Sequence, residues 1–450
     1  MADRLFGTNG VRGVINQDMN VQLAMDLGKA IGTFMHGRVA IGNDSRTSAD
    51  MIKSAVSCGL MAAGAEVIDL GLVPTPVVQF YVKQNDLAGG VMITASHNPP
   101  EFNGIKCVDS DGTEMPRSKE EEIERIYFGR AFRSNDWKSV GGLRRASGAV
   151  DAYLRSVTSL VDADAIRGAG LTAVLDCANG AGAVSAPRLL DDLNVRAVTL
   201  NADPQGTFPG HPSEPVEVHL QDLISLVKAA GADLGIAHDG DADRTIFVDD
   251  KGRYLYGDKS LAIVAEYMVR ENGGGIVVTP VSSSMAVEDV VRRAGGEVVY
   301  TRVGAPIVAR KMIEVGAVFG GEENGGLIFP RHQYCRDGAM TVAKVLEIIA
   351  REGPLSALVD RIPQYSQDKR KLACPDEKKE KVLAGLVEHY RDERVDTTDG
   401  VKICYDGGWT LVRPSGTEPL FRIYSEARTE AEAKERSEEC EAVLAELVRC

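Results

Sequence analysis

Three carboxylates lie close together in the segment HDGDADR, at alternate positions along the chain. Asp239, Asp241 and Asp243 follow the apolar run Leu234–Ala237, which predicts a buried strand. A looped backbone lets all three side chains face one cation, and carboxylate oxygens suit hard ions such as Mg²⁺. An EF-hand is excluded because Arg244 stands where that loop requires glycine. The spacing predicts a divalent-metal loop, with a solvated acidic turn and an aspartyl-nucleophile phosphatase loop as open alternatives.

A serine in the segment TASHNPP is the second group that suggests chemistry. Ser96 follows the short apolar run Val91–Thr94 and is flanked by His97, and two prolines prevent a regular element from continuing there. A serine on such a stiff loop is a candidate nucleophile or phosphate carrier. Taken alone, the segment is more typical of an ordinary turn, and it lacks the Gly-x-Ser-x-Gly pattern of a nucleophile elbow. Lys106, in NGIK, adds a positive charge or a proton relay if the chain doubles back.

Two adjacent acids, Glu322 and Glu323, lie among the glycines of GGEENGG. Glycines let a ligand approach the backbone closely, and carboxylate and amide groups suit sugar hydroxyls better than phosphate. The segment is a candidate sugar-binding loop, and an exposed Gly-rich turn is the alternative.

The segment RPSGTEP combines a guanidinium, two hydroxyls and a flexible backbone. Phosphate groups are bound by bidentate arginine side chains, hydroxyl donors and backbone N–H groups. The segment offers all three, in Arg413, Ser415, Gly416 and Thr417. A tight hairpin turn is the alternative. Arg12, in the Gly-bounded segment TNGVRG, is a further candidate only if these other loops lie nearby, because a single arginine is usually a surface charge.

Apolar runs alternate with helical stretches over most of the chain. Three successive segments each open with a strand, pass through helix, strand and helix, and end with a strand that carries a polar, Gly-rich loop. This order predicts three similar α/β modules with mostly parallel sheets, whose strand-end loops converge on one central cleft. The second module includes a predicted helix over Val216–Ala230, and the third a predicted strand over Ala317–Phe319. After Pro363 strands predominate before a final helix from Thr429, which predicts an α+β domain.

We therefore expect four domains, in keeping with the length of the chain. Their predicted bounds are residues 1–148 with the serine loop, 149–251 with the metal loop, 252–365 with the sugar loop and 366–450 with the phosphate loop.

Charge and composition exclude several classes of partner. The 450 residues include 51 basic and 65 acidic side chains, a formal net charge of −14, which disfavours nucleic acid and anionic membranes. No apolar stretch is long enough to span a bilayer, and the first residues lack the apolar core of a secretory signal. The eight cysteines are scattered and form no CxxC pair, which predicts reduced thiols rather than a zinc site. We expect a soluble, cytoplasmic protein whose partner is a small molecule.

Taken together, the loops resemble those of the α-D-phosphohexomutase superfamily. The segments FGTNGVRG, TASHNPPEFNGIK, DGDADR, GEENGG and RPSGTEP occur in the order and spacing of that family and cover essentially the whole chain. The resemblance implies four domains around a central cleft, the fourth of them an α+β module. It also implies a monomer or homodimer.

The resemblance assigns a role to each loop. It implies that Ser96 is a phosphoserine and that its phosphate holds one Mg²⁺ per chain together with the three aspartates of DGDADR. It implies charge stabilisation or proton relay by residues of the reacting centre, which are Arg12, His97, Lys106 and Arg244. It implies substrate binding by a sugar loop and a phosphate clamp, which comprise Glu322, Asn324, Arg413, Ser415, Gly416 and Thr417.

The implied activity is a phosphosugar mutase that interconverts 6-phospho and 1-phospho sugars through a sugar bisphosphate, which also serves as activator. The opening FGT resembles the phosphoglucosamine mutase branch, and ENGG resembles archaeal members, so glucosamine 6-phosphate is the expected substrate. Asn324 stands where many members have serine, and Ala305 follows TRVG where many have a polar residue, so phosphomannomutase or phosphoglucomutase activity stays open. A magnesium-dependent sugar-phosphate phosphatase and a non-catalytic sugar-phosphate sensor are the alternatives of other classes.

Overall fold

The computed structural model describes residues 4–7, 9–415 and 418–449. Two compact units divide these residues. The first unit holds the chain up to residue 260 together with residues 324–359, and the second holds residues 261–323 and the chain from residue 360 onward. The third predicted module therefore contributes to both units.

The first module opens the first unit with a six-stranded sheet in the order β1-β5-β4-β2-β3-β6. The pairs β2–β3, β2–β4 and β3–β6 are parallel, whereas β5 pairs antiparallel with both β4 and β1. The elements are β1 (Val11–Val14), α1 (Val21–Met35), β2 (Arg38–Asn43), α2 (Ala49–Ala62), β3 (Glu66–Leu72), α3 (Thr75–Gln84), β4 (Gly89–Ile93), β5 (Phe102–Val108), α4 (Arg117–Phe128) and β6 (Leu143–Arg145).

The second module follows with a five-stranded sheet in the order β11-β10-β9-β7-β8. The three strands β9, β7 and β8 are parallel, and β10 returns antiparallel beside β9. The elements are α5 (Ala149–Thr158), α6 (Ala163–Ala169), β7 (Thr172–Asp176), α7 (Ala186–Asp192), β8 (Arg196–Leu200), α8 (Gln221–Ala230), β9 (Leu234–His238), β10 (Thr245–Asp249) and β11 (Tyr254–Leu255).

The third module has a parallel trio in the order β13-β12-β14 and an antiparallel pair, β15–β16. The elements are α9 (Gly257–Glu271), β12 (Gly275–Pro280), α10 (Met285–Arg293), β13 (Gly296–Thr301), α11 (Ala305–Val315), β14 (Phe319–Gly321), β15 (Leu327–Phe329), β16 (Gln333–Arg336), α12 (Gly338–Glu352) and α13 (Leu355–Asp360).

The last part of the chain forms an antiparallel sheet in the order β17-β21-β20-β19-β18, with two helices. The elements are β17 (Ser366–Ala373), α14 (Asp376–His389), β18 (Arg394–Asp396), β19 (Val401–Tyr405), β20 (Gly408–Pro414), β21 (Leu420–Ala427) and α15 (Glu430–Arg449). None of the described helices is long and apolar enough to span a membrane.

The predicted fold class, three α/β modules and an α+β domain, is confirmed, with differences in detail. In the first two modules the strand after the polar loop turns back antiparallel, so the sheets are mixed. The helix predicted from Val216 begins only at Gln221, because His219 bonds back to Val216 in a tighter turn. The strand predicted from Ala317 begins at Phe319, because the Ala317 N–H still bonds Met312 in the end of α11.

Helix α12 ties the end of the third module to the second module inside the first unit. Its N-cap, Asp337, is fully buried and accepts the Met340 N–H at 3.0 Å. The same carboxylate accepts the Tyr153 hydroxyl from α5, and it contacts His332 Nδ1 at 3.0 Å and Gln333 Nε2 at 2.7 Å. Burial alone would raise the pKa of Asp337, but these hydrogen bonds, led by that of His332, lower it. A satisfied buried carboxylate thus positions the strand end just before α12.

A second buried carboxylate joins the third module to the C-terminal sheet inside the second unit. Glu426 is fully buried and accepts the Met285 N–H at 2.7 Å and Trp409 Nε1–H at 3.1 Å. Lys402 Nζ lies 4.4 Å from the centroid of a Trp409 ring and donates to the Val281 carbonyl at 2.6 Å. Charged groups buried with their partners make this a specific contact, because each would be costly if left unpaired.

Replacing Glu426 with alanine should destabilise the second unit. The change leaves the Met285 and Trp409 donors, and Gln367 Nε2 at 2.9 Å, without their acceptor. We expect a loss of about 3 kcal/mol or more in unfolding free energy, and a smaller loss for Glu426→Gln, which keeps one carbonyl acceptor. Urea unfolding followed by Trp409 fluorescence, in a Trp137→Phe background, measures this.

The exposed Glu446 provides the control, since Glu446→Ala should shift stability by no more than about 0.5 kcal/mol. If both alanine variants unfold at the same urea concentration as the parent, Glu426 does not stabilise this contact.

Candidate active site

Ser96 occupies a strained position in the loop between β4 and β5. Its φ is +51°, a left-handed conformation that costs a non-glycine residue energy, and its side chain is fully buried. The Ser96 N–H donates to Thr94 Oγ1 at 2.8 Å, and the Thr94 hydroxyl donates to Asp44 Oδ2 at 2.6 Å. The loop therefore holds its serine hydroxyl in one orientation.

Arg46, in the loop after β2, fastens the serine loop. Its Nη2 donates to the carbonyls of Ser96 at 2.8 Å and Asn98 at 2.6 Å, and its Nη1 donates to those of Pro99 at 2.6 Å and Phe102 at 2.8 Å. The guanidinium is buried, with 2 % of the residue exposed, and its charge is balanced by Asp44 at 3.1 Å. A planar group with several fixed donors suits this task, because one side chain satisfies four carbonyls of the loop.

The three aspartates lie in the tight connection between β9 and β10. His238 closes this connection, with its Nδ1 3.1 Å from both the Arg244 carbonyl and the Thr245 hydroxyl. Position 240 requires glycine because its backbone lies close to that of Ser96: a Cβ there would lie 2.6 Å from the Ser96 carbonyl oxygen. The metal loop and the serine loop are therefore in backbone contact.

The predicted phosphate carrier and the predicted metal ligands meet directly. Ser96 Oγ donates to Asp239 Oδ2 at 2.7 Å, and Arg244 Nη2 donates to Ser96 Oγ at 3.3 Å. All three aspartates and Lys106 are buried. Lys106 Nζ lies 2.7 Å from Asp241 Oδ2, which also accepts the Thr75 hydroxyl at 2.6 Å. Residues from four separate loops and strands thus surround one point.

Burial and charge separate the pKa values of the aspartates. Burial, followed by the neighbouring charges of Asp241 and Asp243, raises the pKa of Asp239 to about 7. Burial would also raise the pKa of Asp241, but the Lys106 ammonium outweighs it and holds that pKa below its usual value. Packed carboxylates compete for the available positive charge, and an added cation would relieve that repulsion.

The donor set fits a small divalent cation. Oxygens of the three aspartates lie within 4.8 Å of one another. Asp241 Oδ1 and Asp243 Oδ1 are buried and accept no hydrogen bond, while the other oxygen of each carboxylate is held by cationic groups. Carboxylates fixed in this way each present one oxygen without a hydrogen bond, as monodentate ligands of Mg²⁺ do.

His97 and Arg12 lie beside the serine. His97 Nδ1 accepts a hydrogen bond from Arg244 and lies 3.4 Å from Ser96 Oγ. Burial, and next the charges of Arg244 and Arg12, lower the pKa of His97 to about 2, so its ring is neutral at physiological pH. Arg12 Nη1 donates to Asn98 Oδ1 at 2.7 Å and to the Ala95 carbonyl at 3.2 Å. Both side chains therefore belong to the surroundings of Ser96.

Glu322 and Arg413 belong to a second cluster, inside the second unit. The Gly304 N–H donates to Glu322 Oε1 at 3.1 Å. The adjacent Val303 N–H donates to Asp399 Oδ2 at 3.2 Å, and the same oxygen lies 3.2 Å from Arg413 Nε. The TRVG segment and Asp399 therefore connect the candidate sugar loop to the candidate phosphate clamp.

The other predicted binding residues have mainly local contacts. Asn324 Oδ1 accepts the Gly326 N–H at 3.1 Å, and Gly325 packs on the strand after the metal loop, with its carbonyl accepting the Thr245 N–H at 3.0 Å. Ser415 Oγ accepts the Glu418 N–H at 3.2 Å. The predicted clamp residues Gly416 and Thr417 lie outside the described residues.

Sequence reasoning missed three side chains that hold this site. They are Arg46, Thr75 and Arg336, and each contacts a predicted residue. Arg46 follows β2, Arg336 is the last residue of β16, and Thr75 begins α3, so all stand where strands end or helices begin. A polar residue at the end of a strand or the start of a helix was the signal in the sequence that could have identified these side chains. Only the folded chain shows which of many such polar residues point inward.

Four family models match successive parts of the chain. They are described as phosphoglucomutase/phosphomannomutase alpha/beta/alpha domain I over residues 3–134, domain II over 151–252, domain III over 256–365, and the C-terminal domain over 371–443.

Known proteins resemble the chain over its whole length. A phosphoglucomutase/phosphomannomutase of Thermococcus kodakarensis is 43% identical over 96% of this chain and 96% of its own. A phosphoglucosamine/phosphogalactosamine mutase of Sulfurisphaera tokodaii is 40% identical over 95% and 96%. The crystal structure of a phosphoglucomutase/phosphomannomutase family protein from Burkholderia thailandensis superimposes with a TM-score of 0.87 at 28% identity, covering 98% of this chain and 97% of that one.

Replacing Arg46 with lysine should loosen the serine loop. An ammonium group cannot reach four carbonyls at once, so several buried acceptors lose their donors. We expect a loss of about 2–4 kcal/mol in unfolding free energy, with faster amide hydrogen exchange over residues 94–104. Chemical denaturation and exchange mass spectrometry measure the two effects.

Arg38→Lys is the matched control, because the Arg38 guanidinium is exposed and makes one described hydrogen bond, to the Asn85 carbonyl. Unchanged stability and unchanged exchange in Arg46→Lys would mean that Arg46 does not hold the loop.

Proposed function

Because the chain belongs to the phosphoglucomutase/phosphomannomutase family, we propose that it is a phosphosugar mutase that carries the transferred phosphoryl group on Ser96. The expected reaction interconverts glucosamine 6-phosphate and glucosamine 1-phosphate through a sugar bisphosphate. The observation that carries this proposal is the 2.7 Å contact between Ser96 Oγ and Asp239 Oδ2, which places a fixed hydroxyl against a buried cluster of carboxylates. A sugar-phosphate sensor would need no such contact.

The reaction consists of two phosphoryl transfers. In the first, the bond between phosphorus and Ser96 Oγ breaks as a bond forms to the free sugar hydroxyl, and the proton of that hydroxyl ends on Ser96 Oγ. The electron pair of the broken bond stays on Oγ, where Arg244 Nη2, at 3.3 Å, stabilises it. After the bisphosphate turns, the second transfer returns the other phosphoryl group to Ser96. Positioning and charge stabilisation carry most of such catalysis.

Each named residue has a place in this scheme. Asp239, Asp241 and Asp243 would hold the Mg²⁺, which supplies positive charge to the transferring phosphoryl group. Lys106 and Arg12 supply further charge or relay the hydroxyl proton, and neutral His97 orients Arg244.

The substrate-binding residues of the proposal include Asn324 of the first unit, and Glu322, Arg413 and Ser415 of the second unit. Glu322 and Asn324 bind sugar hydroxyls, and the clamp formed by Arg413, Ser415, Gly416 and Thr417 binds the phosphate that is not reacting. The connection from Glu322 through Asp399 to Arg413 supports this division, because it links hydroxyl recognition to phosphate recognition.

Domain bounds, location and oligomeric state are further parts of the proposal. We propose the domain division at residues 148, 251 and 365, a cytoplasmic location, and a monomer or homodimer. The order of the four matched family segments supports the division. The seven described cysteines form no disulfide, which supports the location.

Replacing Ser96 with alanine should abolish mutase activity, because no oxygen remains to carry the phosphoryl group. We expect kcat to fall by about a thousandfold or more, in a coupled assay with a trace of sugar bisphosphate. Intact-mass measurement before and after phosphatase treatment should show one phosphate in the parent and none in the variant. Ser110→Ala, at an exposed turn serine, is the control. Full activity of Ser96→Ala would refute the phosphoserine scheme.

The substrate is decided by comparing three sugar phosphates in the same assay. We expect the highest kcat/KM for glucosamine 6-phosphate, since the opening FGT resembles the glucosamine branch and the Sulfurisphaera tokodaii relative is named for amino sugars. The Thermococcus kodakarensis relative favours the second candidate, a phosphoglucomutase/phosphomannomutase. Higher kcat/KM with glucose 1-phosphate or mannose 1-phosphate would establish that second activity instead.

A further inference from the structure

Arg336 is a buried cation of the metal site that the mutase scheme does not use. It ends β16, and 7 % of the residue is exposed. Its Nη2 donates to Asp243 Oδ2 at 2.7 Å and lies 3.6 Å from Glu114 Oε1. Glu114, which is also buried, accepts Asn9 Nδ2–H at 2.9 Å. Arg336 therefore lies between a predicted metal ligand and Glu114, which contacts the segment just before β1, the strand that carries Arg12.

The charges of this cluster balance without a metal ion. Its buried carboxylates are the three aspartates of the metal loop and Glu114. Its cations are Lys106, Arg336, Arg244 and Arg12. Lys106 and Arg336 each lie within 3.6 Å of a carboxylate, and Arg244 lies 3.4 Å from Asp239. Arg12 is buried, and its charge acts on Asp241 and Asp243. With all four carboxylates ionised, four positive charges thus face four negative ones in the first unit.

We infer that Arg336 keeps the metal-free cluster neutral and thereby weakens Mg²⁺ binding until a phosphate on Ser96 adds negative charge. A divalent cation entering a neutral, buried cluster brings an excess of two positive charges, and a phosphoserine supplies about the same number of negative ones. Without Arg336 the cluster would carry a net negative charge and attract Mg²⁺ before phosphorylation. The inference rests on the proposed function for the identity of the metal and of the phosphate.

Arg336 also orients Asp243. This orienting contact strengthens Mg²⁺ binding, whereas the charge of Arg336 weakens it. Loss of an orienting contact to a metal ligand typically weakens affinity about 10- to 100-fold. Lys106 Nζ lies 3.5 Å from the same oxygen, Asp243 Oδ2, so Asp243 keeps a second cationic neighbour when Arg336 is removed. The charge effect therefore outweighs the orienting effect at this position, because a unit charge so close to a divalent ion acts through a weakly screened interior.

The test compares Mg²⁺ dissociation constants by calorimetry on phosphatase-treated chains, with the absence of phosphate verified by intact mass. Arg336→Met removes the charge and keeps most of the volume, and we expect it to bind Mg²⁺ about tenfold or more tightly than the parent. Arg336→Lys keeps the charge and should bind within about threefold of the parent. Lys344→Met is the control, because Lys344 is buried and paired with Glu347 in α12. It should lower stability without changing the Mg²⁺ constant.

Equal or weaker Mg²⁺ binding by Arg336→Met would overturn the inference, since Arg336 would then be neutral toward the metal or only an orienting group. Thermal unfolding of each variant without metal shows whether the chain is folded. A parent chain incubated with glucose 1,6-bisphosphate should gain one phosphate and bind Mg²⁺ more tightly. A chain that gains none contradicts the proposed function, and the comparison of unphosphorylated chains still decides the charge role of Arg336.

Discussion

The site depends on keeping three carboxylates and a serine hydroxyl together out of water. Buried anions repel one another unless cations lie beside them. The chain meets this constraint with side chains from distant segments, among them Lys106 on β5 and Arg336 at the end of β16, which reach Asp241 and Asp243. The fold of the first unit serves largely to deliver these charges to one point.

The loops and strand ends at this point are held by side chains that take no part in the proposed reaction. Arg46 satisfies four carbonyls of the serine loop, and Asp337 gathers four donors where α12 begins. Rigid support of this kind suits phosphoryl transfer, in which catalysis consists mainly of positioning and fixed charge. The strained backbone of Ser96, with its φ of +51°, persists because such contacts surround it.

The second unit has a different organisation, which suits recognition. Glu322, Asp399 and Arg413 form one connected series through backbone N–H groups of the TRVG segment. Buried Glu426 fastens the C-terminal sheet to α10 in the same unit. In the proposed function, the sugar hydroxyls and the non-reacting phosphate would therefore bind to side chains that share one hydrogen-bonded scaffold.

The sequence alone determined the fold class, the order of the modules and the loops that carry chemistry, because apolar periodicity and clustered polar residues are local signals. Ser96 and the three aspartates were found in this way. Only the tertiary structure decided that Ser96 Oγ faces Asp239 and that Arg46 and Arg336 complete the site. These contacts join residues separated by tens to hundreds of positions, and whether a strand-end arginine points inward depends on packing and charge balance, which no local pattern encodes.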